Sequence, residues 1–514
     1  MLKLKTNSMN FEAHKPIVML NKEDAAELDL MPLERVLLRY GKKECIAIVN
    51  ISKTTVKEGE ILLSINVQNE LCIKKPSIIT ALPASPPKSL DFIKKRLNGT
   101  ELTKSEILSI IQDTVDNKLS DIELTAFVIS LEHFPMSIDE ATYLSQAMIK
   151  TSRRLKLGKG AIYDKHSIGG VPGDKTSILV VPIVASFGLT IPKTSSRAIT
   201  SPAGTADRFE CIAPVELEIH EIEKVVKKTK GCLVWGGAVD LAPADDMFIK
   251  IEYPFSIDPF LLPSVMSKKK AAGAKYLVID IPTGDETKVK SIKEFNKLSR
   301  GFIELGKRLG IEVRTLSTYA DQPLGHAVGP ALEAREALST LMWKRPSIDL
   351  VEKACAVAGV LLEFAGHKNG KKLAMHSLES GKAYRKMKEI IKAQGGNPDI
   401  KPSDIKVGKH VVKVKSKSSG IVEWFDTKAV AEIARELGAP KDKGAGIYFH
   451  KKLRENVKKG DTIFELYAEK RHKMKRALSA LKKKDIMNVD TKFDMVLETY
   501  PEETRDRYYF ILER

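Results

Sequence analysis

Residues Asp164 to Ser177, DKHSIGGVPGDKTS, gather Lys165, His166, Ser167, Gly169, Gly170, Gly173, Lys175, Thr176 and Ser177 into one short stretch. Glycines let backbone amides approach an anion closely, and flanking Lys and Ser add charge-assisted hydrogen bonds worth roughly 1.5–3 kcal/mol each. The chemistry such a stretch can do is to hold a phosphate. A triphosphate loop of the GxxxxGK[ST] kind needs Lys directly after its last Gly, whereas Asp174 here separates Gly173 from Lys175 and the preceding spacing is one residue short. A carboxylate at that point would face the triphosphate. The stretch therefore reads as a different phosphate site or as a Gly-rich strand-to-helix turn with incidental polar residues. GFIELGKR at 301–308 comes closer in spacing, but it ends in Arg and lies within an amphipathic helical pattern.

A second hydroxyl- and glycine-rich stretch, KTSSRAITSPAGTADRFE at 193–210, follows the apolar run ending GLTIP and leads into a further helix. Two such loops at the ends of neighbouring strands can converge on one anion. Taken alone, the second is also compatible with an ordinary surface connection.

The elements that must carry these loops follow from periodicity. Residues 1–86 hold short β-branched runs such as CIAIVNISKTTV and EILLSINV between Gly, Lys and Glu turns, which predicts a small β domain. The proline-rich ALPASPPKSL (81–90) reads as a linker. Over 87–155 the apolar spacing becomes helical, with SEILSIIQDTV and SIDEATYLSQAMIKTSRRL each opened by Ser or Thr and an acidic residue, and this predicts a helical domain joined by about 245–272. Between 156 and 410, oily runs read as strands (SILVVPIVA, YLVIDIP, IEVRTLS) alternate with helical patterns. That predicts a large α/β domain. Residues 411–514 return to strands around the helix TKAVAEIARELG and end on a charged helix, a C-terminal α+β domain.

The chain is long enough for several cores of ~150 residues each. Its 84 Lys and Arg against 66 Asp and Glu give a net charge of +18, so its surface favours anionic partners. With aromatic content of only 6% and no basic stripe interleaved with stacking residues, small phosphorylated substrates are a better fit than nucleic acid. The five cysteines are scattered without metal-ligand spacing, which suits buried thiols in a reducing cytoplasm, and no metal site is expected. The longest oily run is short and contains Pro182, so no membrane span and no export signal are expected.

KHSIGGVPGDKTS resembles the signature loop of the thymidine/pyrimidine-nucleoside phosphorylases. The resemblance continues through IPKTSSRAITSPAGTADRFE, WGGAVDLAPADDMF, SVMSKKKAAGAKYLVIDIPTG and DQPLGHAVGPALEAREAL, covering roughly residues 88–470. With its extra N-terminal domain and the wording SSRAITSPAGTAD, the chain is most similar to the branch acting on nucleoside 5′-monophosphates. The resemblance implies phosphorolysis of AMP to adenine and α-D-ribose 1,5-bisphosphate, with CMP and UMP as further substrates. It implies no cofactor beyond inorganic phosphate as co-substrate. It also implies a helical and an α/β domain enclosing the substrate, and a homodimer or higher homo-oligomer. A pyrimidine-nucleoside phosphorylase and, more distantly, an anthranilate-type phosphoribosyltransferase are the rival readings.

Position by position, the resemblance places Lys165, Ser167, Ser177, Ser195 and Thr205 at the phosphate co-substrate. It places Gly170 and the run Ser196, Arg197, Ala198, Ile199, Thr200 and Ser201 at the nucleotide. Ser264 and Lys268 match base-pocket positions of the nucleoside enzymes, and Ser264 with Lys288 match nucleotide contacts. Asp258, in FSIDP, matches the proton donor to the leaving base, a role suited to a carboxyl whose pKa is raised by burial. Its other reading is a helix N-cap. The basic residue that contacts the pyrimidine carbonyl in the nucleoside enzymes is replaced near Glu252, which argues against a pyrimidine-only pocket. His166 is open between a substrate contact and a structural donor. Arg197 is the expected receptor for the substrate's 5′-phosphate, because a second phosphate calls for a second cation and Arg binds phosphate bidentately.

Overall fold

The computed structural model describes residues 1–9, 15–198, 201–239 and 242–490, in two compact units: Met1–Thr151 with Pro243–Phe260, and Ser152–Ala242 with the chain from Leu261 onward. In the first unit six strands (Leu2–Ser8, Ile17–Asn21, Arg35–Tyr40, Lys43–Ser52, Glu60–Leu63, Ile78–Pro83) close into a barrel in the order first, fifth, second, fourth, third, sixth. The period-2 alternation sends Val36 and Leu38, and Cys45, Ala47 and Val49, into a core completed by Leu4, Val18, Ile61 and Ile79. Because the last strand runs to Pro83, the linker begins later than ALPASPPKSL suggests.

Four helices follow, Ser89–Leu97, Lys104–Val115, Asp121–His133 and Ile138–Thr151. Capping boxes start the second and third, Thr103 with Glu106 and Ser120 with Glu123, so Thr103 rather than the downstream Ser is the cap. Lys15 pairs with Asp121 at 2.6 Å and donates to Leu119 O, while Arg35 pairs with Glu123 and donates to Lys118 O at 2.9 Å. These bonds tie the barrel to the turn between the second and third helices. The chain returns to this bundle over Pro243–Phe260, where Phe248 and Phe260 pack on Phe127 with ring centroids 6.0 Å away. This return stops short of the expected 272: the helix Leu261–Ala271 belongs to the other unit.

The second unit centres on parallel strands β1 (Tyr163–Ser167), β2 (Ile191–Ser195), β3 (Gly231–Trp235), β4 (Tyr276–Thr283) and β5 (Glu312–Tyr319). β5-β4-β1 form one ladder and β2-β3 another. A parallel bridge between Ile162 and Thr190 joins β1 to β2 and completes the order β5-β4-β1-β2-β3. SILVVPIVA, expected as a strand, is helix α1 (Thr176–Ser186). It is buried from Thr176 to Ala185 and therefore apolar all round, so the sequence lacks the one-sided stripe of a surface helix. Helices α2 (Leu261–Ala271), α3 (Pro330–Leu341) and α4 (Ile348–Phe364) complete the elements used below.

The C-terminal part carries a four-stranded sheet in the order Ala327–Val328, Gly446–Phe449, Thr462–Ala468, His410–Lys415, so a short strand just before α3 adds to it. The helices Thr427–Leu437 and Arg471–Leu481 cover a core that includes Val328. The last described helix, Arg471–Leu481, is charged and is followed by the strand Met487–Asp490; the end of the chain, where a charged helix was expected, lies outside the described residues. Among the described residues no helix is long and apolar enough to cross a membrane.

Candidate active site

The first motif is half strand and half loop. β1 carries Asp164, Lys165, His166 and Ser167, the turn 168–175 follows, and α1 starts at Thr176. Gly169, Gly170 and Gly173 all have positive φ, at 81°, 97° and 80°. At Gly173 a Cβ would also lie 2.7 Å from Leu324 O, so glycine is required there twice over. Lys165 is 2% exposed, and no described residue accepts a hydrogen bond from its ammonium or pairs with it. Burial pushes its pKa below the usual lysine range, with Asp174 and Asp280 acting in the opposite direction.

Asp174, the residue that breaks the triphosphate pattern, accepts from Thr176 Oγ1 at 2.6 Å and stands 3.9 Å from Lys353 Nζ. Burial works to raise its pKa, but Lys353 and then Lys165 outweigh that and hold the carboxyl well below the usual carboxylate range. Lys353, from α4, pairs with Asp280 at 2.9 Å, and Asp280 accepts from Thr318 Oγ1 at 2.6 Å. Side chains from β4, β5, α4 and the turn thus share one ionic cluster beside Lys165.

Lys175 has a different task. Its fully buried ammonium donates to Gly173 O at 3.0 Å, Leu324 O at 2.6 Å and Ala327 O at 3.1 Å, and pairs with Glu336 of α3 at 2.7 Å. Three ammonium protons shared among four oxygens leave none for a ligand. Lys175 is a clamp between the turn 168–175 and the strand Ala327–Val328.

Ser177 is buried in the first turn of α1, and Ser195 ends β2 with its hydroxyl donating to Val234 O at 3.3 Å. From there the second loop turns back over itself: a Cβ at Gly204 would lie 2.7 Å from Ser196 O and from Ala198 N. Asp207 fastens the fold-back by accepting from Ala198 N at 2.7 Å and Gly204 N at 2.9 Å. Ser201 Oγ donates to Ala203 O, and Thr205 begins the short helix Thr205–Phe209. Ile199 and Thr200 lie outside the described residues. Arg208 pairs with buried Glu333 and donates to Ala203 O at 2.6 Å, joining this loop to α3.

Arg197, expected to receive a phosphate, is already engaged by carboxylates: Glu210 at 2.7 Å, Glu216 at 2.6 Å and Asp207 at 3.3 Å, with its guanidinium 4.9 Å from the Trp235 ring. Lys443 reaches Glu210 from the C-terminal domain, and Arg197 and then Lys443 bring the Glu210 pKa down to about 2. Arg197 is thus a strut of the loop rather than an open cation.

His166 stands in a crowd of positive charge. Burial first, then Lys269, Lys193, Lys268 and Lys165, push its pKa well below the usual histidine value. The imidazole is therefore neutral at physiological pH. Lys269 pairs with Asp164 at 2.7 Å, and Asp164 also accepts from Lys165 N at 2.7 Å. Ser264 and Lys268 lie one turn apart on α2, and so on one face of it. Lys288 follows β4, and its backbone N is 3.6 Å from where a Cβ on Gly170 would sit, so these two predicted nucleotide contacts are brought together. Asp258 is half-buried in the first unit, in the segment whose Phe260 N donates to buried Glu252 at 3.3 Å.

Sequence reasoning missed Lys193, Lys269, Lys353, Arg208 and the carboxylates that serve them. A lysine inside an apolar strand (IPKTS) or an apolar helix (VEKACAV) was the available signal, because lysine is rarely buried without a reason.

Comparison with known proteins agrees with this architecture. Residues 90–152 match the Glycosyl transferase family, helical bundle domain, 159–384 its a/b domain, and 421–486 the Pyrimidine nucleoside phosphorylase C-terminal domain. AMP phosphorylase of Thermofilum pendens is 48% identical over 473 residues, 92% of each chain. AMP phosphorylase of Thermococcus kodakarensis is 47% identical over 494 residues, 95% of this chain and 98% of its own. AMP phosphorylase 1 of Archaeoglobus fulgidus is 45% identical over 493 residues, 95% and 97% respectively. In fold alone, the crystal structure of anthranilate phosphoribosyltransferase from Thermus thermophilus aligns over 60% of this chain and all of its own, with a TM-score of 0.50 at 20% identity. With these relatives 45–48% identical over 92–95% of its length, this chain belongs to the AMP phosphorylase family.

Proposed function

We propose that this protein is a pentosyltransferase that cleaves AMP with inorganic phosphate, giving adenine and α-D-ribose 1,5-bisphosphate. The observation that carries this reading is the buried ammonium of Lys165 in the middle of β1, with no carboxylate within 4 Å among the described residues, on the strand that ends at Ser167; Ser177 lies in the first turn of α1 and Ser195 ends the neighbouring strand β2. A buried cation with no directly paired carboxylate is costly, and a phosphate dianion supplies a direct partner. Held there, phosphate is a positioned nucleophile for the sugar C1′, and the bond to the base breaks as the new C–O bond forms. Negative charge gathers on the departing adenine. Asp258 is assigned as its proton donor, and neutral His166 supplies a ring N–H or an acceptor without adding to the charge on the sugar. Gly170 and Lys288 frame the nucleotide, with Ser264 and Lys268 near its base. The reaction needs no cofactor.

The test is base release in the presence of phosphate from AMP, adenosine and thymidine in parallel. Adenine release from AMP supports the reading, and release only from the nucleosides rejects it in favour of a nucleoside phosphorylase. Asp258→Asn is expected to lower kcat about 10²–10⁴-fold with an unchanged melting temperature. Turnover close to that of the unmodified protein would remove Asp258 from the reaction.

A further inference from the structure

The reaction proposed above brings two phosphates to one site, the inorganic nucleophile and the nucleotide's own 5′-phosphate, and Arg197 is already neutralised by carboxylates. Among the described residues, Lys15, Lys175, Lys269, Lys353 and Lys452 are buried lysines within 4 Å of a carboxylate: Asp121, Glu336, Asp164, Asp280 and Asp349 respectively. Two further buried lysines stand within that distance of none, Lys165 at 2% exposure and Lys193 at 5%. They lie on neighbouring strands, each three residues beyond the Ile162–Thr190 bridge that joins β1 to β2. We propose that Lys193 is the cation that receives the substrate's 5′-phosphate, and so the residue that selects nucleotides over nucleosides.

This assignment rests on the AMP reading. The single protein acceptor for Lys193 Nζ among the described residues is the carbonyl of Thr194 at 3.0 Å, which leaves two ammonium protons for a ligand. Burial first, and then the nearby ammonium of Lys269, push the Lys193 pKa well below the usual lysine range, with Asp164 only partly opposing them. A site that crowds cations in this way stores repulsion that an arriving dianion relieves. β2 also leads directly into Ser195 to Ala198, so an anion at Lys193 would lie at the root of the loop predicted to hold the nucleotide. A nucleoside brings no such anion and leaves the repulsion in place, and this is the basis of the selectivity.

The experiment measures KM for AMP and for inorganic phosphate in the unmodified protein, Lys193→Met and Lys165→Met. Lys193→Met is expected to raise the AMP KM about 30-fold or more while leaving the phosphate KM within about threefold. Lys165→Met is expected to do the reverse. An AMP KM unchanged in Lys193→Met, or AMP and phosphate KM rising together, overturns the assignment. Should Lys193→Met fail to fold, the crystal structure of the unmodified protein with AMP decides. A 5′-phosphate oxygen about 3 Å from Lys193 Nζ supports the proposal, and one beyond about 6 Å overturns it. If the unmodified protein releases no adenine from AMP, the proposed function itself fails. If it does release adenine and Lys193 has no effect, only this assignment falls.

Discussion

Two lysines ten residues apart in one motif have opposite fates, and the difference is the number of oxygens around each ammonium. Lys175 has four within 3.1 Å, whereas Lys165 has none among the described residues. By residue type they are equivalent; their partners make Lys175 a structural cation and leave the Lys165 ammonium without an acceptor among the described residues. The same reasoning applies to His166, whose folded-state pKa is pushed well below the usual value by burial and four lysines. The folded protein keeps this imidazole neutral, while the unfolded chain protonates it below about pH 6.5. Below that value the unfolded state binds the extra proton, so stability contributed by His166 is present above about pH 6.5 and declines as pH falls. His166→Gln is expected to flatten the melting temperature against pH between about 7 and 5. An unchanged acid limb in that variant would mean that other groups govern it.

The elements differ in how plainly the sequence announces them. Helices with a polar face and a cap, such as Lys104–Val115 behind Thr103 and Glu106, are legible because cap and stripe agree. α1 is not: burial on all sides removes its stripe, and β-branched residues around Pro182 imitate a strand. The two loops were legible as loops from Gly, Ser and Thr content, and the nearness of Gly170 to Lys288 agrees with what the resemblance implied. The clamp at Lys175 was not, since its partners lie about 150 positions downstream in sequence at Leu324 and Ala327. That clamp joins the start of α1 to α3 and to the edge of the C-terminal sheet. Lys175→Ala leaves buried Glu336 without its cation and three carbonyls, those of Gly173, Leu324 and Ala327, without their lysine donor, at a cost of about 3–5 kcal/mol. The expected outcome is a marked drop in melting temperature together with a raised phosphate KM. Wild-type stability in Lys175→Ala would show that the turn is held by its glycines alone.

At the scale of the whole molecule, the net charge of +18 surrounds a site that must collect two anions. Long-range attraction of this kind is screened over about 8 Å at physiological ionic strength. kcat/KM for AMP is therefore expected to fall several-fold between about 20 and 300 mM salt, and to fall less for a neutral nucleoside. Equal salt sensitivity for both would assign the charge to some other partner. The barrel, tied to the helical bundle through Lys15 and Arg35, carries none of the predicted site residues, and Asp258 is the one predicted site residue that shares its unit. In the proposed reaction inorganic phosphate, held at Lys165, attacks the sugar of a nucleotide. Incubating the protein with AMP and 18O-labelled phosphate is the decisive measurement: the expected outcome is one adenine per ribose 1,5-bisphosphate, with labelled oxygen on the C1 phosphate and none on the C5 phosphate. Adenine appearing with unlabelled ribose 5-phosphate, which is hydrolysis, or no adenine at all, would contradict it.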